Sequence, residues 1–315
     1  MRSLLCLVGA VSALGCSNAV VVDERPAESV QPILNGDPPS RPEHAAVVSL
    51  HNLFKQGQSW FVNPQIYCSG TLIAPRVVLT AGHCAAGKQA SKVAVYVGNE
   101  PAVDITSHLY QVTEILVHPG YSSSSLLNDI ALLRLASDVT ETAPVPHLPA
   151  SSALSSSDVG GVLNFAGFGD DENGNFGVKL QVDGELAGFG CGHPSCFGSV
   201  NPATQIWYYQ DAAHNGGTEE GPCFGDSGGP AFVYRGSGAY GGPFVAGITS
   251  WGDNACTEYG VSTRVDAFQS FIDTFVAGGS GGGSCTLGQK GDACTTGADC
   301  CSQNCAGKPG SRTCK

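Results

Sequence analysis

The stretch Gly221-Pro222-Cys223-Phe224-Gly225-Asp226-Ser227-Gly228-Gly229-Pro230 decides how the chain is read. A serine set between an aspartate and a run of glycines suits a tight loop that holds a hydroxyl in the open. Glycine has no Cβ, so the backbone there can approach a substrate closely and take positive φ. A serine hydroxyl is a weak nucleophile until an adjacent base takes its proton. Two upstream stretches carry suitable partners: Leu79-Thr80-Ala81-Gly82-His83-Cys84 has a histidine and Asn128-Asp129-Ile130-Ala131-Leu132-Leu133 an aspartate. Taken singly, His83 reads best as a satisfied core histidine and Asp129 as a cap or turn residue. Together, in chain order, they form the set His83, Asp129, Ser227.

The chain has 315 residues, 43 of them glycine, and only 13% are charged. All-β domains commonly run to roughly 200–250 residues, so one such domain with appendages fits the length. The net charge of −12 argues against nucleic acid or an anionic membrane surface as the main partner. The 14 cysteines indicate an oxidising compartment. Cys6 and Cys16 stand near the N-terminus, a second group lies between 68 and 256, and a third crowds 285–314. Without the first two, both remaining groups are even, as disulfide pairing requires.

Met1-Arg2 and the apolar run 4–14 read as a signal peptide, residues 1–16, far too short to span a membrane. Ala13-Leu14-Gly15-Cys16 resembles a bacterial lipobox, which would lipidate Cys16 and is the one route to a membrane; Ser17-Asn18-Ala19 offers ordinary cleavage and plain secretion instead. Residues 17–32 read as a pro-segment. Strand patterns follow at 45–50, 70–73, 77–80, 93–97, 112–117, 129–135, 162–165, 244–249 and 260–265. Many short strands broken by turn residues indicate a barrel or a sandwich. One helix is expected over 266–276, with Phe268, Phe271, Ile272 and Phe275 on one face and Asp266 as its cap. Residues 278–284 are a Gly/Ser tether, and 285–315 form a piece too small to bury a useful core, which must be stapled.

The order and flanking residues of His83, Asp129 and Ser227 resemble the trypsin/chymotrypsin-like serine proteases, and the resemblance covers about 33–277. It implies an all-β fold of two six-stranded antiparallel β-barrels with a C-terminal helix. It implies that Ser227 attacks a peptide carbonyl, that His83 takes the proton and that Asp129 orients the imidazole. The N–H groups of Gly225 and Ser227 would form the oxyanion hole, and Ser250 would hydrogen-bond Asp129. Cys68–Cys84 would bridge the histidine loop and Cys223–Cys256 would tie the serine loop to the pocket wall. Ile33-Leu34-Asn35-Gly36 is similar to the family's mature start, so a freed Ile33 amine would pair with Asp226 as an activation switch. Pro32 stands where relatives carry a basic residue.

The same resemblance places Gly221 at the floor of the specificity pocket and Gly252 and Gly260 on its walls. Trypsin-like members carry an aspartate at the floor; its absence implies an open, uncharged pocket for an apolar or aromatic residue before the scissile bond. Asp253 and Glu258 near the rim keep a basic preference as the second reading. Cys191 and Cys196, only five apart, depart from the family and read as a local disulfide rather than a metal site. Asp170-Asp171-Glu172-Asn173-Gly174-Asn175 reads as an exposed acidic loop, not a calcium loop. Glu100 stands alone where the family's calcium loop needs paired glutamates, and no metal or cofactor is assigned.

The terminal cysteines, with adjacent Cys300 and Cys301, resemble inhibitor-cystine-knot miniproteins, implying Cys285–Cys301, Cys294–Cys305 and Cys300–Cys314. Such a knottin-like module would serve a cell-surface or polymer ligand. The reading is an exported bacterial serine endopeptidase, secreted or held at the surface as a lipoprotein, acting on protein or peptide substrates. Its rivals are a catalytically inactive protease-like binding protein, and a chain whose knot is the active principle.

Overall fold

The computed structural model describes residues 33–169, 177–196, 200–236 and 242–278, with the backbone alone of Val21–Val22, Cys305–Ala306 and Thr313–Cys314. In chain order the strands are β1 (Val21–Val22), β2 (Val47–Gln56), β3 (Ser59–Ala74), β4 (Val77–Thr80), β5 (Val93–Tyr96), β6 (Leu109–Val117) and β7 (Ala131–Leu135). There follow β8 (Val162–Gly167), β9 (Leu180–Phe189), β10 (Gln205–Tyr209), β11 (Pro230–Arg235), β12 (Gly242–Gly252) and β13 (Tyr259–Arg264). Three short helices accompany them: α1 (Gly82–Ala85), α2 (Pro101–Asp104) and α3 (Gln269–Val276).

Strands β2 to β7 close a six-stranded antiparallel barrel in the order β3-β2-β5-β6-β7-β4, with β4 returning to β3; β1 lies parallel against β3 outside the ring. Strands β8 to β13 close a second barrel, β10-β13-β12-β11-β8-β9. The two rings share one pattern: the first strand of each pairs with the second and the fourth, and the third with the sixth. Two closed six-stranded antiparallel barrels are the fold the family resemblance implies.

Burial explains why some strands were plain in the sequence. All four residues of β4, Val-Val-Leu-Thr, are buried, as are those of β5, so each reads as an unbroken β-prone run. By contrast β3 is 16 residues long and the sequence marked only 70–73. Its first half carries Asn63, Pro64 and Gln65 and is half-exposed for most of its length. Strands β9, β10 and β11 were not anticipated. β9 carries Asp183, Gly184 and Glu185 in its middle, which masks it as a loop.

The helix begins later than expected. Asp266–Phe268 form a 3₁₀ turn and the α-helix proper is Gln269–Val276. Asp266 does not cap it. Its buried carboxylate accepts from Arg264 Nη2 (2.5 Å) and from the Leu154 N–H (2.9 Å). A guanidinium two residues away compensates a buried charge better than a helix N–H would. Phe268, Ile272 and Phe275 are buried as the spacing predicts, in the core shared with the first barrel. Arg134 of β7 secures the far end, donating to the Phe275 carbonyl (2.8 Å) with its guanidinium 4.1 Å from that ring. The helix thus returns from the second barrel to close on the first.

Cys305–Ala306 pair antiparallel with Thr313–Cys314. The three proposed knot pairings, the signal peptide, most of the pro-segment, the acidic loop 170–175 and the tether from 279 onward lie outside the described residues. Among the described residues no helix is long and apolar enough to cross a membrane.

Candidate active site

The histidine comes from the first barrel. After β4 the chain leaves Ala81 extended and turns once as α1, which carries His83. Cys84, the next residue, is bonded to Cys68 of β3 with the Cα atoms 6.1 Å apart, so the turn is held to the barrel wall. The Cys68 and Cys84 sulfurs lie close to His83, but joined to each other they offer no thiolate to a metal. Gly82 sits in close quarters here. A Cβ on it would come 3.0 Å from the Tyr121 ring and 3.1 Å from Asp129 Oδ1, where the loop before β7 presses in.

That loop supplies Asp129, whose side chain is fully buried. Asn128 and Leu126 both take positive φ, and Asn128 Nδ2 donates to the Gly120 carbonyl (2.8 Å), which folds the loop back on itself. The Asp129 carboxylate accepts three hydrogen bonds. His83 N–H donates to Oδ1 at 2.7 Å, His83 Nδ1 donates to Oδ2 at 2.7 Å, and Ser250 Oγ donates to Oδ2 at 2.5 Å. A buried carboxylate needs such compensation. Because the carboxylate can only accept, Nδ1 carries the hydrogen and Nε2 is left as the ring nitrogen able to take a proton.

Ser227 comes from the second barrel, on the loop between β10 and β11. Gly225 and Gly228 there take φ of +94° and +84°. A Cβ on Gly225 would meet Gly169 Cα at 2.8 Å, and one on Gly228 would strike Thr80 and Ser69. Ser69 of β3 binds the loop to the first barrel: its N–H donates to the Ser227 carbonyl (2.8 Å) and its hydroxyl to the Gly225 carbonyl (3.1 Å). The same hydroxyl accepts from Phe168 N–H (3.0 Å). Nothing in the motifs pointed to Ser69. The N–H groups of Gly225 and Ser227 have no acceptor among the described residues and stand as available donors beside the hydroxyl.

Asp226 is buried, and its carboxylate accepts from the Gly169 N–H (2.9 Å) and the Cys223 N–H (3.0 Å). Ile33 is also buried, within the second barrel's core, and Leu34 N–H donates to the Gly221 carbonyl (3.0 Å). The segment expected to begin the mature chain therefore lies against the loop that carries Ser227.

His83 and Ser227 line one cavity of about 430 Å³. Trp251, Gly252, Asp253 and Asn254 form one wall, with Cys256 bonded to Cys223 across from them (Cα–Cα 5.5 Å). Tyr121 and Leu126 flank the histidine side. Of the three glycines expected to shape the pocket, only Gly252 lines this cavity; Gly221 and Gly260 lie behind Gln210 and Tyr208, which do. Cys191 and Cys196 are joined in the local disulfide expected, outside the cavity lining. Asp253 faces the cavity, yet its carboxylate accepts from four backbone N–H groups of its own loop, Ala255, Thr257, Glu258 and Tyr259, at 3.0 to 3.3 Å.

Comparison with known proteins matches residues 33–272 to the Trypsin family model. The chain is 32% identical over 260 residues to a chymotrypsin-like elastase family member 1 of Macaca fascicularis, covering 78% of this chain and 90% of that one. It is 32% identical to brachyurin of Leptuca pugilator, over 72% of this chain and 96% of that one. A trypsin of Saccharopolyspora erythraea is 28% identical over 66% of this chain and 86% of its own length. The matched span contains both barrels and every residue lining the cavity, and on it the chain belongs to the trypsin family of serine endopeptidases.

Proposed function

We propose that the chain hydrolyses peptide bonds through an acyl-enzyme formed on Ser227. Ser227 Oγ attacks the carbonyl carbon as His83 Nε2 takes its proton; the carbonyl π-electrons move onto oxygen, beside the N–H groups of Gly225 and Ser227. The tetrahedral species collapses, the C–N bond breaks, and His83 gives its proton to the departing amine. Water then repeats the sequence on the ester and frees the acid. Asp129 fixes the tautomer and stabilises the imidazolium, and Ser250 holds Asp129 in turn. The observation that carries this reading is the His83–Asp129–Ser250 chain of short hydrogen bonds beside Ser227 at one cavity. Preorganised donors such as the two amides are typically worth roughly 10²–10³ in rate.

The remaining assignments belong to the same reading. An uncharged residue is expected before the scissile bond, since no free acid lies at the pocket floor. Cleavage before Ile33 frees an amine for Asp226. Three disulfides in the protease domain fit export. The tail 285–315 serves a surface or polymer ligand.

The test is an intact mass of the mature chain after fluorophosphonate treatment, alongside Ser227→Ala. One label on a wild-type chain beginning at Ile33, and none on the variant with unchanged circular dichroism, is expected. Labelling of the variant at the wild-type level overturns the nucleophile. A wild-type chain beginning at Ile33 that takes no label overturns catalysis in favour of a protease-shaped binding protein.

A further inference from the structure

The pocket glycines have a second consequence. Tyr208 of β10 is the direct cross-strand partner of Gly260 in β13. A Cβ built on Gly260 would fall among the Cζ, Oη and Cε2 atoms of the Tyr208 ring. An aromatic ring lying across a facing glycine is a stable cross-strand arrangement, because the glycine leaves a bare stretch of sheet for the ring to cover. Gln210, two residues on, does the same to Gly221: a Cβ there would fall within the Gln210 side chain. Its amide is fixed, with Nε2 donating to the Pro222 carbonyl at 2.8 Å and Oε1 3.5 Å from where a Gly252 Cβ would stand. Both side chains are buried at 1% exposure, and both line the cavity. The room that Gly221 and Gly260 leave is therefore taken by the protein itself.

We propose that Tyr208 and Gln210 set the depth of the specificity pocket, so that the enzyme cleaves after short uncharged residues of alanine to valine size and discriminates against aromatic and basic ones. This deepens the peptidase reading above and rests on it. Of the apolar and aromatic side chains an uncharged pocket admits, a long one meets the tyrosine ring and the glutamine amide before it is fully seated. Displacing Gln210 breaks its bond to Pro222 and leaves a buried polar group unpaired. The carboxylate lining the cavity, Asp253, keeps its charge but has both oxygens held by four N–H groups of its own loop, so it is not free to swing onto a basic side chain. Nothing in the motifs signalled either residue.

The test uses the full mature chain and a peptide series differing only in alanine, valine, phenylalanine or arginine before the scissile bond. Rates are normalised to active sites titrated with fluorophosphonate. Wild type is expected to favour alanine or valine over phenylalanine by about tenfold or more in kcat/KM, in line with pocket discrimination by size. Gln210→Ala and Tyr208→Ser are each expected to move that ratio toward phenylalanine by about tenfold. Should Tyr208→Ser fail to fold, Gln210→Ala and the wild-type preference decide. A labelled wild type that favours phenylalanine or arginine overturns the pocket proposal alone, as does a labelled Gln210→Ala with an unmoved ratio. A wild type that takes no label overturns the catalytic reading and this one with it.

Discussion

In the proposed mechanism Asp129 acts entirely through His83. It is buried, touches no part of the cavity, and accepts from the histidine at both the backbone N–H and Nδ1. Asp129→Asn keeps the size of the side chain but puts an amide where only acceptors stood. To keep accepting from the His83 backbone or Nδ1 it must turn its NH₂ toward a remaining donor, or else reverse the imidazole tautomer. The expected outcome is a fall in kcat of about 10⁴ with the peptide KM nearly unchanged. Ser250→Ala removes one donor of three and leaves the tautomer intact, so its loss is expected to be near tenfold, about 1–2 kcal/mol. Steady-state kinetics on one peptide check both; comparable losses in the two variants would mean that charge compensation, not the tautomer, is what Asp129 supplies. At this scale the sequence was informative where chemistry forces residue identity. Ser69, Tyr208 and Gln210 were silent because serine and tyrosine in a strand, and glutamine just past one, are ordinary, and only the closed ring shows what they face.

Strands differ in what they bury, and that decides both their legibility and their response to pH. β4 and β5 are buried throughout and announce themselves, whereas β9 crosses from core to surface with acidic residues and glycine in its middle. β11 was hidden for another reason: it starts at Pro230, directly from the serine loop, and its short Ala-Phe-Val-Tyr run carries no period-2 alternation to mark it. Within β2, His51 is fully buried between Ser49 Oγ (2.9 Å) and the Asn63 carbonyl (3.1 Å). Burial brings its pKa down to about 4. An unfolded histidine titrates near 6.5, so between those values the unfolded chain binds a proton that the folded chain refuses. Stability contributed by neutral His51 is thus complete above about pH 6.5 and is lost as pH falls toward 4. The loss amounts to about 3 kcal/mol at most. Urea midpoints of wild type and His51→Gln, measured from pH 7 to pH 4, should converge as the pH falls; parallel curves would show that His51 takes no part in the acid limb.

The proposed triad is assembled only where the barrels meet, since His83 and Asp129 come from one and Ser227 from the other, so on that reading what governs the seam governs the chemistry. Lys179 lies there. It leads into β9 of the second barrel, is fully buried, and donates from Nζ to the carbonyl of His44, just ahead of β2 in the first barrel (2.8 Å). His44 Nε2 lies 2.7 Å from Asn164 Oδ1 of β8, and the Lys179 ammonium sits 5.2 Å from the Phe168 ring. Burial lowers the lysine pKa from 10.5 to about 7. Below pH 7 both folded and unfolded chains hold the proton, and the folded one bears the full cost of a buried charge. Between about 7 and 10.5 the unfolded chain keeps a proton that the folded chain has released, so rising pH favours folding. The shift corresponds to about 5 kcal/mol at most. Lys179→Met removes the charge and loses the bond to His44, and the second effect is the same at every pH. Paired on a Ser227→Ala background to prevent self-digestion, the methionine variant should gain stability relative to its parent most at pH 6 and least near pH 10. Equal differences in urea midpoint at both values would show that the lysine is charged at neither or at both, and that the seam holds independently of its proton. A difference that shrinks with pH, accompanied in the active chain by a methionine variant with a flatter decline in activity below pH 7, would tie the seam to turnover.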